Sequence, residues 1–128
     1  DAVTMDTSAN GYRLPTEAEW LAAADDGHTY SGSDDIEAVA WYDGNSGSRT
    51  HEVKTKAPNS AGIYDMSGNV WEWCWDADAS SSNRVYRGGS WDYSASYCTI
   101  VSGRSDNSPH HRSNSGIGFR VVRKAPAP

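Results

Sequence analysis

Large aromatic side chains constrain the fold of this chain more than any other feature. Its 128 residues include six Trp and seven Tyr but only one Phe, and only 37% of them are apolar. In a chain so poor in Leu, Ile and Phe, no other side chains can replace these rings in a core. We therefore expect one domain with a core made mainly of aromatic rings. The rings assigned to this core are Tyr12, Trp20, Trp71, Trp73, Trp75 and Trp91.

Charge and hydropathy exclude several classes of protein. The net charge is −6, with 17 acidic and 11 basic residues, which argues against a nucleic-acid partner or an anionic membrane surface. No apolar run approaches the roughly 18 residues that a membrane-spanning helix needs, so we expect no membrane-embedded segment. Cys74 and Cys98 form no metal-type CxxC pair, and they are interpreted either as one disulfide or as two buried thiols.

A single helix is predicted over residues 12–27. Thr16 and Glu19 have the spacing of a capping box near its start, and Gly27 can take the left-handed C′ position at its end. This helix should dock on the core through one face. The side chains on that face are Trp20, Leu21 and Ala24.

Strands are predicted in the second half of the chain. Residues 70–75 place three Trp on one side of a strand and Val, Glu and Cys on the other. Further strands are predicted at 84–86 and 118–123, whereas residues 92–117 are small and polar with no period. The expected fold class is α+β, loop-rich with a small antiparallel sheet, and residues 124–128 form a tail.

The last third of the chain has an unusual composition. Residues 92–122 contain no Lys, Glu, Gln, Met or Trp, whereas residues 1–91 contain 15 residues of these types. At that frequency about five would be expected in the later segment. None of the missing types can be reached from the Asn codons AAC and AAT by changing adenines alone, whereas the types that fill the segment can. We interpret the segment as a set of diversified positions.

A long loop of Ser, Gly and Asn would also avoid large side chains. That alternative does not readily explain why Tyr93, Tyr97, His110 and His111 stand among the serines. The codon interpretation accounts for them, because Tyr and His are reachable from Asn codons by adenine changes. It implies a surface that tolerates exchange of its side chains.

Four motifs along the chain together resemble one known family. They are Gly-Tyr-Arg-Leu-Pro-Thr-Glu-Ala-Glu-Trp at residues 11–20, the block at 62–73 that contains Gly-Asn-Val-Trp-Glu-Trp, Arg-Gly-Gly-Ser-Trp at 87–91 and Gly-Phe-Arg at 118–120. In this order they resemble the formylglycine-generating-enzyme, or sulfatase-modifying factor, family. The resemblance implies a C-type-lectin-like α+β fold, of which residues 1–123 would form the C-terminal part. The family places a substantial segment before the first of these motifs.

The segment that follows Trp91 is similar to a narrower group, the variable proteins of diversity-generating retroelements. The resemblance implies that framework positions, among them Trp91, Cys98 and residues 117–120, are interleaved with diversified ones. Residues 92–116 would then be a variable binding region. If the framework rings Trp91 and Phe119 are buried, replacing either by Ala should cost about 3–5 kcal/mol. The expected ligand-contacting residues are Asp92, Tyr93, Ser94, Ser96, Tyr97, Ser102, Ser105, Asp106, Asn107, Ser108, His110, His111, Ser113, Asn114 and Ser115.

Two positions bear on the choice between catalysis and binding. Family members that oxidise a sulfatase cysteine carry two active-site cysteines after the Arg-Gly-Gly-Ser motif. Cys98 matches the second of these positions, but Tyr93 stands at the first. Copper-dependent oxidation needs the thiolate pair, so we expect no enzymatic activity and no redox cofactor. The alternative is a formylglycine-generating oxidase or an inactive relative of it.

The resemblance also implies one structural calcium site made only of oxygen ligands. The Asp65 and Glu72 side chains would bind the ion together with the Gly68 and Val70 carbonyl groups, a donor set that suits a hard cation. The alternative is that Asp65 caps its turn while Glu72 pairs with an arginine. The sequence leaves both alternatives open.

These expectations describe a non-enzymatic ligand-binding protein. Its exchangeable residues resemble those of antibody loops, in which Tyr supplies rigid contact area and Ser or Asn supplies adaptable hydrogen bonds. Tyr93 and Tyr97 are expected near the centre of one exposed face, with His110 and Ser113 among the residues toward its rim. We expect a macromolecular partner, a protein on a cell or host surface, and a cell-surface or secreted location. A diversified site does not encode the identity of its ligand.

Overall fold

The computed structural model describes residues 4–6, 8–77, 83–106, 115–126 and 128. Two helices, four strands and one 3₁₀ turn lie in these residues, and most of the rest is turn and loop. No helix in these ranges is long and apolar enough to cross a membrane. The elements are α1 at Glu17–Ala24, α2 at Ile36–Val39, β1 at Trp71–Ala77, β2 at Arg84–Arg87, the 3₁₀ turn at Ala95–Tyr97, β3 at Gly103–Asp106 and β4 at Ile117–Gly118.

Helix α1 begins at the predicted capping box but is shorter than expected. The Thr16 side chain accepts a hydrogen bond from the Glu19 amide (3.2 Å), and the Glu19 carboxylate accepts one from the Thr16 amide (3.0 Å). The capping box is therefore confirmed. The predicted range of 12–27 is wrong, because the Arg13 backbone pairs with Val122 in both directions and holds the residues before the cap outside the helix.

The end of α1 also differs from the prediction. The chain leaves the helix at Asp25 with extended backbone, so Gly27 lies beyond the C′ position although its φ is 88°. The Asp25 carboxylate instead accepts a hydrogen bond from the Gly27 amide (3.1 Å), as Asp does in turns. The short helix α2, which has no predicted counterpart, follows an Asp35 cap and buries Val39.

The four strands form one sheet in the order β3-β2-β1-β4. β2 is antiparallel to both β1 and β3, whereas β4 runs parallel to β1, so the sheet is mixed rather than wholly antiparallel. The last strand, predicted at 118–123, is limited to β4 and the bridge between Val122 and Arg13. β3 has no predicted counterpart, because Gly-Arg-Ser-Asp lacks apolar alternation and pairs with β2 through its backbone.

The two faces of the sheet carry different layers. Glu72 and Cys74 of β1 face helix α1, whereas Trp71 and Trp73 pack against Tyr86 on the opposite face at ring-centroid distances of 5.1 and 5.2 Å. The alternation predicted for β1 is therefore confirmed. The main apolar cluster lies on the helix side. Its buried residues are Trp20, Ala24, Met66, Cys74, Val85 and Ile100.

Only two of the rings assigned to the core are fully buried. Trp20 and Trp71 are each 1% exposed, but Tyr12 is 69% exposed and the framework ring Phe119 is 68% exposed. The core assignment of Tyr12 is wrong, and the loss of about 3–5 kcal/mol considered for a buried Phe119 does not apply. Both rings lie outside the helices and strands, where the described residues leave them largely uncovered. The rings of intermediate burial are Trp73, Trp75 and Trp91.

A buried carboxylate joins α1, β1 and the C-terminal segment. Glu72 is 5% exposed, and its oxygens accept hydrogen bonds from Trp20 Nε1 (2.7 Å) and from Arg120 Nε and Nη2 (2.7 Å each). Arg120 Nη2 also donates to the Tyr64 carbonyl (2.9 Å). Burial by itself would lower the pKa of Arg120, but the hydrogen bonds and charge of Glu72 outweigh it and raise that pKa. Such a buried charge is stable only while its partners are kept.

Replacing Trp20 or Trp71 by Phe tests the contribution of this carboxylate, because both indoles are buried and both variants lose the same atoms. Trp20 Nε1 donates to Glu72, whereas Trp71 Nε1 has no acceptor among the described residues. We expect Trp20→Phe to lower the free energy of unfolding by about 1.5–3 kcal/mol more than Trp71→Phe does. Urea denaturation measures this difference, and equal losses would contradict the expected contribution of the hydrogen bond.

Candidate functional site

The rings of Tyr93 and Tyr97, called here the tyrosine pair, lie together against Trp71. Their centroids are 5.3 Å apart, and they lie 5.3 and 6.4 Å from the Trp71 ring in edge-to-face geometry. Trp71 is buried, Tyr93 is half-buried and Tyr97 is 42% exposed. Edge-to-face pairs contribute about 0.5–1.5 kcal/mol beyond the area that they bury. The tyrosine pair is thus accessible to solvent and packs on a buried aromatic ring.

Backbone hydrogen bonds position the tyrosine pair. The Tyr93 carbonyl accepts from the Asp43 amide (3.1 Å), and the Tyr93 amide donates to the Ser90 carbonyl (3.1 Å). The Tyr97 amide donates to the Ser94 carbonyl (3.0 Å) in the 3₁₀ turn. Because these bonds use no side chain, exchange of the side chains leaves their donors and acceptors in place.

The residues after the 3₁₀ turn are held by the hydroxyls of Ser102 and Thr99 and by one apolar anchor. Ser102 Oγ donates to the Ser96 carbonyl (2.7 Å) and accepts from Thr99 Oγ1 (2.9 Å). The Ile100 amide donates to the Thr29 carbonyl (3.1 Å), and the Ile100 side chain belongs to the main apolar cluster. Ile100 therefore anchors this part of the variable binding region to the main apolar cluster, while Ser96 stays exposed.

The two ends of the variable binding region meet beside β1. Trp91, just before the region, donates through its amide to the Asn69 carbonyl (2.9 Å) and through Nε1 to the Ser115 carbonyl (3.3 Å). The Trp71 amide donates to the Gly116 carbonyl (2.7 Å). The chain therefore leaves and rejoins the scaffold next to the residue that supports the tyrosine pair.

The structure places part of the predicted contact set. The side chains that it describes are those of Asp92, Tyr93, Ser94, Ser96, Tyr97, Ser102 and Ser115. The backbone of Ser105 and Asp106 lies in β3. The members that lie outside the described residues are Asn107, Ser108, His110, His111, Ser113 and Asn114. The prediction that the whole set shares one face stays a prediction.

Several residues that no sequence motif marks support this region from outside it. Besides Asp43, these are Ser46, whose Oγ donates to the Trp91 carbonyl (2.8 Å), and Asn69. The Asn69 side chain accepts from the His51 amide (3.0 Å) and donates to the His51 carbonyl (3.1 Å). Asp43 and Ser46 stand in a Gly-, Ser- and Asn-rich stretch where no spacing distinguishes them from neighbouring loop residues.

Both cysteines are buried free thiols, so of the two interpretations of the sequence the disulfide is wrong. Burial raises the pKa of Cys74 and of Cys98 to about 12. A Cβ on Gly89 would stand 2.6 Å from Cys98 Sγ, and the φ of 75° at Gly89 also favours glycine. Cys98 therefore packs against the chain as a protonated thiol at neutral pH.

The side chains assigned to calcium are engaged with other groups. Asp65 Oδ2 accepts from the Lys54 amide (2.8 Å). Glu72 is held by Trp20 and Arg120, and the guanidinium would repel a divalent cation at the same oxygens. The described part of the chain contains no group of three His, Cys, Asp or Glu side chains that could hold a metal ion. Glu72 therefore fits a calcium site poorly in this arrangement, and calcium binding stays a prediction.

Calcium dependence of the melting temperature separates the two interpretations of Glu72. With Glu72 held by Arg120, chelation by EGTA should leave the melting temperature unchanged. Glu72→Gln should then lower the free energy of unfolding by up to about 3 kcal/mol, equally with and without calcium, because Arg120 loses its partner. Scanning calorimetry makes the comparison. A calcium-dependent stabilisation that Glu72→Gln abolishes would instead establish the metal site.

Exchange of exposed serines tests the division into framework and variable positions. Ser94 and Ser96 are exposed and hydrogen-bond only weakly to each other (3.1 Å), so replacing both by Asn should change the free energy of unfolding by less than about 0.5 kcal/mol. Ile100→Ala, which removes a buried anchor from the same region, should cost about 2–5 kcal/mol. Chemical denaturation measures both. Similar losses in the two variants would refute the division.

Comparison with known proteins gives a family match over nearly the whole chain. Residues 1–125 match the model of the family described as the Sulfatase-modifying factor enzyme 1-like domain. The solved structure of Treponema denticola variable protein 1 is 46% identical, with a TM-score of 0.84, and the match covers 91% of this chain and 49% of that one.

Three curated relatives match most of this chain but less than half of their own length. The Paenibacillus barcinonensis protein named chaperone protein LppX is 40% identical over 70% of this chain and 41% of its own length. The formylglycine-generating enzyme of Streptomyces coelicolor is 33% identical over 90% of this chain and 48% of its own. The inactive C-alpha-formylglycine-generating enzyme 2 of Mus musculus is 32% identical over 92% of this chain and 45% of its own. The chain thus spans less than half the length of each relative.

Proposed function

The chain belongs to the sulfatase-modifying factor enzyme 1-like family, and we propose that within it the chain is a non-enzymatic ligand-binding protein. Residues 92–116 would form its diversified recognition surface. Because the family contains proteins named as formylglycine-generating enzymes and others named as inactive, the fold alone does not decide between catalysis and binding. The proposal rests on the chemistry of the site.

The state of Cys98 carries the proposal. Oxidation of a sulfatase cysteine, as the resemblance implies it, needs a pair of thiolates that can bind copper. Tyr93 stands at one of the two positions, and Cys98 at the other is fully buried with its pKa raised to about 12. A thiol in that state is almost wholly protonated at neutral pH. The described residues therefore offer a tyrosine ring where the reaction needs a thiolate.

The tyrosine pair supports recognition as the alternative role. Its rings are fixed by edge-to-face contact with buried Trp71, and its backbone is fixed by bonds to Asp43 and within the 3₁₀ turn. Rings that are ordered before binding lose little conformational entropy on contact with a partner. A scaffold of this kind keeps its contact residues in place while their identities change.

The proposed partner is a macromolecule, a protein on a cell or host surface, and the proposed location of the chain is the cell surface or the exterior. The net charge of −6 disfavours a nucleic-acid partner. The similarity to Treponema denticola variable protein 1 and the adenine-dependent composition of residues 92–122 both support a surface that is varied to meet different ligands.

Absence of the oxidase reaction is the first expected result. With a cysteine-containing sulfatase peptide, copper and oxygen, the chain should yield no aldehyde by mass spectrometry, while the Streptomyces coelicolor enzyme serves as positive control. Turnover of the peptide would overturn the proposal.

Both thiols should resist a thiol reagent in the folded state. Their pKa values rise from 9.0 to about 12. The contribution of the neutral thiols to the free energy of unfolding is therefore complete below pH 9 and is lost as the pH rises toward 12.

Loss of binding in a tyrosine variant is the second expected result. A screen against arrayed host and bacterial surface proteins would supply a ligand. For any ligand so found, Tyr97→Ala should weaken binding by roughly 2 kcal/mol, because partly exposed aromatic residues at the centre of an interface dominate its energy. Lys56→Ala, on a side chain that covers Trp41 outside the region, is the control and should leave the Kd unchanged. Equal effects in the two variants would place the binding surface elsewhere.

A further inference from the structure

Two exposed carboxylates, Asp43 and Asp92, stand next to Tyr93 and are called here the acidic rim. Asp92 precedes Tyr93 in the chain, and the Asp43 amide donates a hydrogen bond to the Tyr93 carbonyl (3.1 Å). Both aspartates are exposed, and the neighbouring Tyr97 ring is 42% exposed. The acidic rim therefore borders the surface that the tyrosine pair presents to solvent.

A closed turn holds Asp43 in place. The Tyr42 carbonyl accepts hydrogen bonds from the amides of Asn45 (3.1 Å) and Ser46 (2.8 Å), and Asn45 Oδ1 accepts one from the Tyr42 amide (2.9 Å). A Cβ on Gly44 would stand 2.6 Å from the Tyr42 ring, which lies against this turn. Asp43 is also outside the variable binding region, so under the proposed function it stays when that region is exchanged.

A buried hydroxyl holds Asp92. Ser90 is fully buried, and its Oγ donates a hydrogen bond to Asp92 Oδ1. An ionised carboxylate has about four acceptor sites on its two oxygens, so this bond leaves sites for the donors of a partner. The hydroxyl thus orients the carboxylate without neutralising its charge.

No basic residue lies close in sequence to the acidic rim. Residues 40–48 and 91–103 contain Asp43 and Asp92 but no Lys, Arg or His. Three glutamates of the described chain each pair with an arginine, whereas none of the ion pairs in that part of the chain involves an aspartate of the rim. Within the described residues, the acidic rim therefore carries negative charge that no ion pair compensates.

The charge of the acidic rim acts on the residues beneath the tyrosine pair. Cys98 follows Tyr97 in the chain and is fully buried. Burial raises the pKa of Cys98 to about 12, and the negative charge of Asp43 acts in the same direction. The face of an aromatic ring also carries negative potential, because of the ring quadrupole. The carboxylates and the ring faces therefore attract the same kind of group, a cation.

We propose that the partner presents a basic side chain, arginine in particular, to the tyrosine pair and the acidic rim, an inference that rests on the proposed function. The planar guanidinium stacks on a tyrosine ring while its N–H groups donate to a carboxylate of the rim. Lysine supplies the charge but has no plane for stacking. The ligand is thus a protein surface that carries an exposed arginine.

An NMR titration with a minimal probe tests this inference without a known ligand. N-acetyl-arginine amide is added to the isotope-labelled chain, and N-acetyl-citrulline amide, which has a similar shape but no charge, is the matched probe. The arginine probe should shift the amide signals of Asp43, Tyr93 and Tyr97, and the citrulline probe should shift them less than about one-fifth as much. Equal shifts with the two probes, or no shifts at these residues, would overturn the inference.

Variants that remove one charge test the inference on a ligand found by the screen. Asp43→Asn and Asp92→Asn keep an acceptor oxygen, and each should weaken binding about threefold, as expected for an exposed ion pair. Glu52→Gln is the matched control, because it removes the same charge from an exposed residue outside the acidic rim; it should leave the Kd unchanged. Equal effects of all three variants would contradict a specific contact with the rim.

Tyr97→Ala separates failure of this inference from failure of the proposed function. If Tyr97→Ala weakens binding but neither rim variant does, the recognition surface is retained and the basic partner is wrong. If Tyr97→Ala also leaves the Kd unchanged, the recognition surface itself is wrong and this inference is overturned with it.

Discussion

The buried carboxylate of Glu72 is the contact on which the rest of the structure depends. It lies on the central strand β1, where it accepts hydrogen bonds from Trp20 of α1 and from Arg120 of the C-terminal segment. A charge at 5% exposure is tolerated only when donors surround it. The helix and the last segment must therefore reach β1 together, which fixes their relative positions more strictly than apolar contact alone.

The sheet separates this charged junction from the surface proposed for recognition. On the helix side, Cys74 packs into the main apolar cluster, whereas on the other side Trp71 supports the tyrosine pair. A change in the side chain of Tyr93 or Tyr97 thus falls on the face opposite to Glu72, whereas the Ile100 side chain of the same region belongs to the cluster on the helix side. Backbone bonds, including that from the Asp43 amide to the Tyr93 carbonyl, hold the tyrosine pair without using its side chains. This separation of layers supports the proposed tolerance of the exposed positions to exchange.

Under the proposed function, the two positions that carry active-site cysteines in related oxidases serve packing and recognition in this chain. Tyr93 packs edge-to-face on Trp71, and Cys98 fills the space against Gly89 as a protonated thiol. Reactive cysteines need a partly exposed, electropositive setting, which the packing around Cys98 does not provide. The proposed function thus keeps the family fold and uses these two positions for packing and for ligand contact.

The sequence by itself determined the features that depend on neighbours along the chain. The Thr16–Glu19 capping box and the alternation of β1 were predictable, because each is encoded by spacing within a few residues. Only the tertiary structure decided the shortened helix, the pairing of β3, the exposure of Phe119 and the choice of Arg120 as partner of Glu72. These features depend on contacts between segments that are distant in the sequence, and no local pattern specifies which segments will meet.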